Sequence, residues 1–429
     1  MNVTTAPVKK KEIFGWAMYD FANSSFTTVV ITAIYAPFFV GHIVPGDSAN
    51  TYWSLAVVIS TVVAMLLAPF AGAVCDYSGR KKRYLGYTTL ACALGTMGLY
   101  FVGPGDLWIA IGLLTLANAA FMLGESFCAS FLTDLATPKT MGIISGLGWG
   151  LGYFGGLLSL VLVMQVVSAD PVEQSGAYIA ENQLAMVLTG VFFLVAAVPT
   201  FALVKSRQRP TPGFENASFG KLTAAGFAEL KSSWTLVKQY PVLFKFFLAF
   251  TVYMAGMEAI IKFVGIYMDA ELHMGVGDRT ITFIVLQVSA ALGALGFGVL
   301  ESKLGAKTTV LITIGWWMGG ILGIYFLPGI ASATGFEPRQ VFFGLALVAG
   351  AGLGSIQSSS RAVVGLLSPP ERSAQMFGFW GMFNRVSVVL GMSFGPVSDA
   401  MGIHNAMLLV LGFFAVGGVM LWRVPMSRV

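Results

Sequence analysis

Residues 182–204 read Asn182-Gln183-Leu184-Ala185-Met186-Val187-Leu188-Thr189-Gly190-Val191-Phe192-Phe193-Leu194-Val195-Ala196-Ala197-Val198-Pro199-Thr200-Phe201-Ala202-Leu203-Val204. The stretch carries no charge, and its apolar residues run continuously instead of alternating with polar ones. About 20 such residues cross a bilayer core as a helix, and only helices and closed barrels satisfy the backbone in lipid. A continuous run therefore selects the helix. Working outward, runs of the same kind are predicted at 14–43, 53–75, 84–103, 107–133, 142–168, 243–269, 279–300, 308–328, 340–367, 375–400 and 403–423. With 182–204 that makes twelve. The composition agrees: 56% hydrophobic and 10% charged residues, against about 25% charged in soluble domains. The expected class is an all-α membrane protein with twelve transmembrane helices in two six-helix halves.

The pI near 9.0 follows from topology. Lys9, Lys10, Lys11, Arg80, Lys81, Lys82, Arg83, Lys139, Lys205, Arg207, Arg209, Lys221, Lys231, Lys238, Lys303, Lys307, Arg372, Arg423 and Arg428 fall on one side, and only Arg279 and Arg339 on the other. The positive-inside rule then puts both termini in the cytoplasm. The basic residues meet anionic lipid heads, and no nucleic-acid partner is expected. Met1–Glu12 leads into too long an apolar run for a signal peptide and lacks a cleavage pattern, and no lipidation motif is present. A multi-pass protein of the plasma (inner) membrane is expected. Cys75, Cys92 and Cys128 are scattered, so neither a metal site nor a disulfide framework is expected. His42, His273 and His404 read as polar residues at the outer ends of spans. No cofactor site and no catalytic set is found, which argues against an enzyme.

The longest polar interruption, Lys205–Gln239, separates six spans from six. The expected domains are residues 1–204, a cytoplasmic linker over 205–240, and residues 241–429. The linker opens with Arg209-Pro210-Thr211-Pro212-Gly213. Phe219, Leu222, Phe227, Leu230, Trp234 and Leu236 then alternate with charges, as in an amphipathic helix on a membrane face. A duplication is visible as well. Gly72-Ala73-Val74-Cys75-Asp76-Tyr77-Ser78-Gly79-Arg80-Lys81 matches Gly298-Val299-Leu300-Glu301-Ser302-Lys303-Leu304-Gly305-Ala306-Lys307 in its glycines and last lysine, with the acid displaced by one position. Repeated halves are the plan of a rocking transporter with its site between them.

The first of these segments resembles the signature G-x-x-x-D-x-x-G-R-[KR] of the major facilitator superfamily. Tyr19-Asp20-Phe21-Ala22-Asn23-Ser24, and Gln357-Ser358-Ser359-Ser360-Arg361 followed by Pro369-Pro370 and Phe377-Gly378-Phe379, resemble its autophagy-related vacuolar-effluxer branch. The bacterial members of that branch are grouped as the "unknown major facilitator" family. The resemblance implies that helices 1, 4, 7 and 10 line a central cavity. It also implies that Gly72, Asp76, Gly79, Arg80 and Lys81 form an inner gate, and that the solute is an amino acid moving by efflux.

Charges inside spans usually face a cavity or a partner. Here they are Asp20, Glu125, Glu258, Lys262, Arg361 and Arg385, of which the first five fall on helices 1, 4, 7 and 10. Asn23 and Ser24 accompany Asp20, and Gln357 accompanies Arg361. Asp20 and Glu125 are candidate proton carriers. Glu258 stands four residues before Lys262 and reads equally as a carrier or as half of a structural pair. Arg361 and Arg385 suit a carboxylate or phosphate, or an acid of the protein itself. Gly146, Gly148, Gly150, Gly152, Gly155 and Gly156 suit close helix packing. Gly150-x-Gly152-x-x-Gly155 is no dinucleotide fingerprint, because no strand precedes it.

The expected function is secondary active transport of a small polar or zwitterionic solute by alternating access, with protons and membrane lipids as further partners and a monomer as the default state. Peptides, sugar acids or lipid headgroup molecules are alternative solutes. A non-transporting receptor or assembly partner is the alternative class.

Overall fold

A computed structural model of the protein describes residues 8–43, 49–167, 175–207, 210–214, 217–218, 220–222, 224–225, 239–272, 274 and 276–426. Every regular element among them is helical. The first part of the chain forms α1 (Lys10–Ser25), α2 (Tyr35–Phe38), α3 (Ala49–Ser78), α4 (Lys81–Gly98), α5 (Leu107–Ser130), α6 (Leu132–Leu135), α7 (Met141–Met164) and α8 (Ser175–Leu203). The second part forms α9 (Pro241–Ala270), α10 (Val276–Leu304), α11 (Ala306–Tyr325), α12 (Leu327–Thr334), α13 (Pro338–Leu367), α14 (Ser373–Gly391), α15 (Phe394–Met401) and α16 (Ile403–Trp422).

The expected twelve spans in two sets of six need correction. Among the described residues, eight helices are long and apolar enough to cross a membrane, or nine if the 40° bent pair Leu55–Ala68 and Phe70–Ser78 is one span. The runs at 14–43, 84–103 and 375–400 fall short for identifiable reasons. Helix α1 ends at Ser25 and gives way to π-helical turns at Phe26–Ala33 and Phe39–Ile43. There Ile34 N–H donates to Val29 O, five residues back, at 3.0 Å. Helix α4 opens on Lys81, Lys82 and Arg83 and tightens into a 3₁₀ turn at Leu99–Phe101. Helix α14 is 19 residues long, but Gln375, Asn384 and Arg385 lower its mean hydropathy, and α15 is only eight residues long. The eight apolar windows are only 33–61% buried. Large apolar side chains such as Leu116, Val195, Leu292 and Val416 are exposed along them, as lipid allows in a multi-pass integral membrane protein.

The chain condenses into two compact units that cut across the sequence halves. One comprises Met1–Leu135, Leu151–Ser233 and Pro369–Met382; the other comprises Ala136–Gly150, Trp234–Ser368 and Phe383–Val429. In the first unit α1 and α4 pack on α8, and α5 packs on α3 and α4. Polar ties join these helices. Trp16 Nε1 donates to Cys128 O at 2.8 Å, Thr200 Oγ1 to Gly15 O at 2.7 Å, and Asn118 Nδ2 to Ser60 Oγ at 2.7 Å. Lys82 Nζ donates to Val204 O at 2.8 Å, answering the negative end of α8. In the second unit α13 packs on α10 and α11, and α16 on α9 and α11. Lys307 Nζ reaches Trp422 O and Val424 O, both at 2.7 Å, at the end of α16.

At the N-terminal edge, Arg207 Nη1 lies 2.8 Å from Glu12 Oε2. Burial pushes the Glu12 carboxyl up, but the Arg207 hydrogen bond and charge and the Lys9 N–H outweigh it, leaving the group below the usual glutamate range. The linker begins against the first unit: Thr211 N–H donates to Tyr77 O at 3.0 Å, and Phe214 stacks on Tyr77 at 4.8 Å. Of the amphipathic positions expected there, Leu222 is buried. Phe219, Phe227, Leu230, Trp234 and Leu236 lie outside the described residues, as does His273.

Candidate functional site

The signature segment ends α3 and turns into α4 at Gly79, whose φ of 63° favours glycine. Its N–H donates to Cys75 O at 3.0 Å. This turn aims Asp76 at the first turn of α14. Ala374 N–H donates to Asp76 Oδ1 at 3.3 Å and Gln375 N–H to Asp76 Oδ2 at 2.7 Å. A carboxylate here satisfies two of the orphan N–H groups at a helix start and meets its positive dipole end. Gly72, one turn earlier, makes the approach possible, since a Cβ there would stand 2.7 Å from Ala374 O. Lys81 is fully buried. Its Nζ donates to Ser373 Oγ at 2.6 Å and Ser130 O at 3.2 Å, and pairs with Asp134 Oδ2 at 3.3 Å. Arg80 is half-buried, and its N–H is held by Ser78 Oγ at 3.3 Å. The five signature residues thus converge around the α3–α4 turn, and three of them touch the start of α14, almost 300 residues away.

The first unit also gathers part of the expected polar path. Asp20 and Asn23 are buried on α1, and Ser24 Oγ donates back to Asp20 O at 2.8 Å. Gly152 lets α7 lie on this face, where its Cβ would come within 3.0 Å of Ser24 Oγ. Glu125 is half-buried on α5, next to Gly124, over which the Tyr19 hydroxyl sits.

The second unit holds the other members. Glu258 on α9 is half-buried against Gly391, and Gln357 is half-buried on α13. Arg385 is buried on α14. The side chain of Lys262 lies outside the described residues. Arg361 is 2% exposed and engages the start of α7. Its Nε donates to Ser145 Oγ at 3.1 Å and its Nη2 to Ser145 O at 2.9 Å. Ser145 Oγ in turn donates to Ser358 O at 2.7 Å, and the guanidinium lies 5.4 Å from the Trp149 ring centre. Arg361→Lys keeps the charge but cannot make both bonds in this geometry. Loss of one charged hydrogen bond is worth about 1.5–3 kcal/mol; the expected result is a lower melting temperature for the purified variant in detergent.

Sequence reading overlooked Ser145 and Trp149, and it left Glu301 out of the candidate site. The repeat had flagged the displaced acid at Glu301. It is 4% exposed, and its carboxyl fills the notch at Gly142, where a Cβ would lie 2.5 Å from Glu301 Cδ. No sequence signal marks Ser145 as the partner of an arginine 216 residues away.

The family model described as "Vacuole effluxer Atg22 like" matches residues 48–429. The chain belongs to that family. It is an MFS-type transporter of the vacuolar-effluxer-like branch and not an enzyme. Among relatives of the Atg22-like chain, an uncharacterized MFS-type transporter, YxiO, of Bacillus subtilis (strain 168) is 26% identical over 97% of this chain and 95% of its own length. Autophagy-related protein 22 of Saccharomyces cerevisiae (strain ATCC 204508 / S288c) is 24% identical over 79% of this chain and 70% of its own. Among solved structures, the human organic anion transporter MFSD10 (TETRAN) superposes with a TM-score of 0.73 at 13% identity, covering 97% of this chain and 100% of that one. That likeness shows the fold that this Atg22-like chain shares.

Proposed function

We propose that the chain exports a small polar solute, an amino acid or similar zwitterion, across the plasma membrane by alternating access, with a proton as the coupling ion. The observation that carries the reading is the Asp76 bond to α14. A carboxylate on a helix N-terminus forms and breaks without covalent change, and it joins segments from opposite ends of the sequence. A latch of this kind closes one face of a rocking carrier and must release for the other face to open. Asp20, Asn23, Ser24, Glu125, Glu258, Lys262, Gln357, Arg361 and Arg385 are assigned to the solute and proton path. Their mixed charges suit a zwitterion, which needs a donor set for its carboxylate and an acceptor for its ammonium.

The test uses the full chain in proteoliposomes loaded with an amino-acid mixture, with separate batches holding dipeptides, sugar acids and lysolipids. Protein-dependent release of amino acids, faster with an inward proton gradient, is the expected result. Release confined to another batch overturns the solute class. No release from any batch favours a receptor.

A further inference from the structure

Glu301 stands in the second copy of the repeated segment. Gly298 and Gly305 match Gly72 and Gly79, and Gly305 repeats the turn with φ 85° and its N–H on Glu301 O at 2.8 Å. Glu301 therefore occupies the place of Cys75, one position before that of Asp76. The two acids do parallel jobs in different ways. Asp76 bonds two N–H groups in the first turn of α14 that have no partner within the helix. Glu301 packs into the first turn of α7, in the notch left by Gly142, while a Cβ on Gly298 would meet Gly142 O at 2.7 Å. The two backbones touch here, so little room remains for water.

The surroundings leave an ionised carboxyl uncompensated. Among the described residues no cation pairs with Glu301, and its Oε2 has no hydrogen-bond partner. The Ser359 hydroxyl of α13 lies alongside it. Among the described residues, the charges at this end of the packed elements are turned elsewhere. Arg361 of α13 holds Ser145, Lys307 of α11 holds the carbonyls ending α16, and Lys139 and Lys303 are exposed. None of these elements brings a second acid to this end. Burying a carboxylate without a counter-charge is heavily penalised, whereas the neutral acid can donate where the carboxylate cannot.

We propose that Glu301 is a proton-binding site of the transport cycle, holding its proton while α7 and α13 close over it and releasing it to water when the lysine-bearing end opens. This rests on the alternating-access reading above. It places the coupling proton at the gate, apart from Asp20 and Glu125. The chemistry is a simple acid dissociation: the O–H bond of the carboxyl breaks, the electron pair stays on oxygen, and water takes the proton.

Infrared difference spectra of the reconstituted full chain, recorded between acidic and alkaline buffer, test the site without any solute. The wild type should show a carboxylic-acid C=O band that disappears on alkalinisation. Glu301→Gln, which keeps the shape and cannot ionise, should lose that band, and the exposed control Glu337→Gln should keep it. An unchanged band in Glu301→Gln overturns the site. In the same vesicles, a trapped pH dye reports proton movement when the amino-acid mixture is added. Glu301→Gln should abolish a wild-type signal; a signal that persists in the variant overturns the coupling role. If the wild type moves no solute at all, the transport reading falls while the infrared result still decides whether Glu301 binds a proton.

Discussion

Asp76→Ala should abolish most of the transport activity and shift the protein away from the conformation described here. The substitution strips the acceptors from two N–H groups at the start of α14, those of Ala374 and Gln375. Both contacts are buried, and each orphaned donor costs about 1–3 kcal/mol. Taking about 3 kcal/mol for the pair, the balance between latched and released states moves by roughly 100-fold. Asp76→Asn should fall between, because its one carbonyl oxygen can still accept from one N–H. The measurement is proteoliposome efflux, paired with alkylation of Cys75, buried beside Asp76, in a chain whose Cys92 and Cys128 are replaced. Faster labelling in Asp76→Ala than in the parent is expected. Wild-type efflux together with unchanged labelling would show that the bond does not gate anything.

Gly354→Val should be the most damaging single substitution to folding. Gly354 faces the Ala290 carbonyl of α10 at closest approach, and its Cβ would also stand 3.0 Å from Ala294 Cβ. From the other side, Gly293 of α10 faces the backbone of Ala351. No side-chain rotation relieves a collision with backbone, so α10 and α13 would have to part along their shared length. Lipid supplies no hydrophobic drive to reunite them, and close packing is what holds membrane helices together. Overpacking of this kind costs about 3 kcal/mol or more. Gly296→Val is the control, since nothing lies within 4 Å of a Cβ there. Size-exclusion profiles and melting temperatures in detergent should show an aggregated Gly354→Val and a near-normal Gly296→Val. Equal behaviour of the two would refute the packing argument.

These two results probe different kinds of information in the sequence. Local patterns were readable because their cause is local. The apolar runs, the Gly79 turn and the acid at Asp76 each follow from neighbours within a few positions. The breaks inside runs were not readable from hydropathy. Phe26–Ala33 is more apolar than most of the spans, yet its backbone takes the wider π-helical turn, and α4 starts on three basic residues that a window average dilutes. In the sequence Glu301 reads only as the displaced acid of the repeat, because the apolar run ends at residue 300; α10 carries on to Leu304 and keeps the acid inside. The Arg361–Ser145 and Asp76–Gln375 contacts join residues more than 200 positions apart, and no periodicity encodes such a pairing.

The interleaving of the two compact units bears on biosynthesis. The unit that begins at Met1 needs Pro369–Met382 to be complete, so Asp76 and Lys81 have no α14 to bind until the ribosome has passed those residues. At about 5–20 residues per second, translation from the end of Ser233 to Pro369 takes on the order of ten seconds. For that interval a buried lysine and a helix-capping carboxylate sit in the nascent protein without their final partners. Chains cut at the linker and expressed as two separate polypeptides should therefore be degraded singly and recovered only when made together.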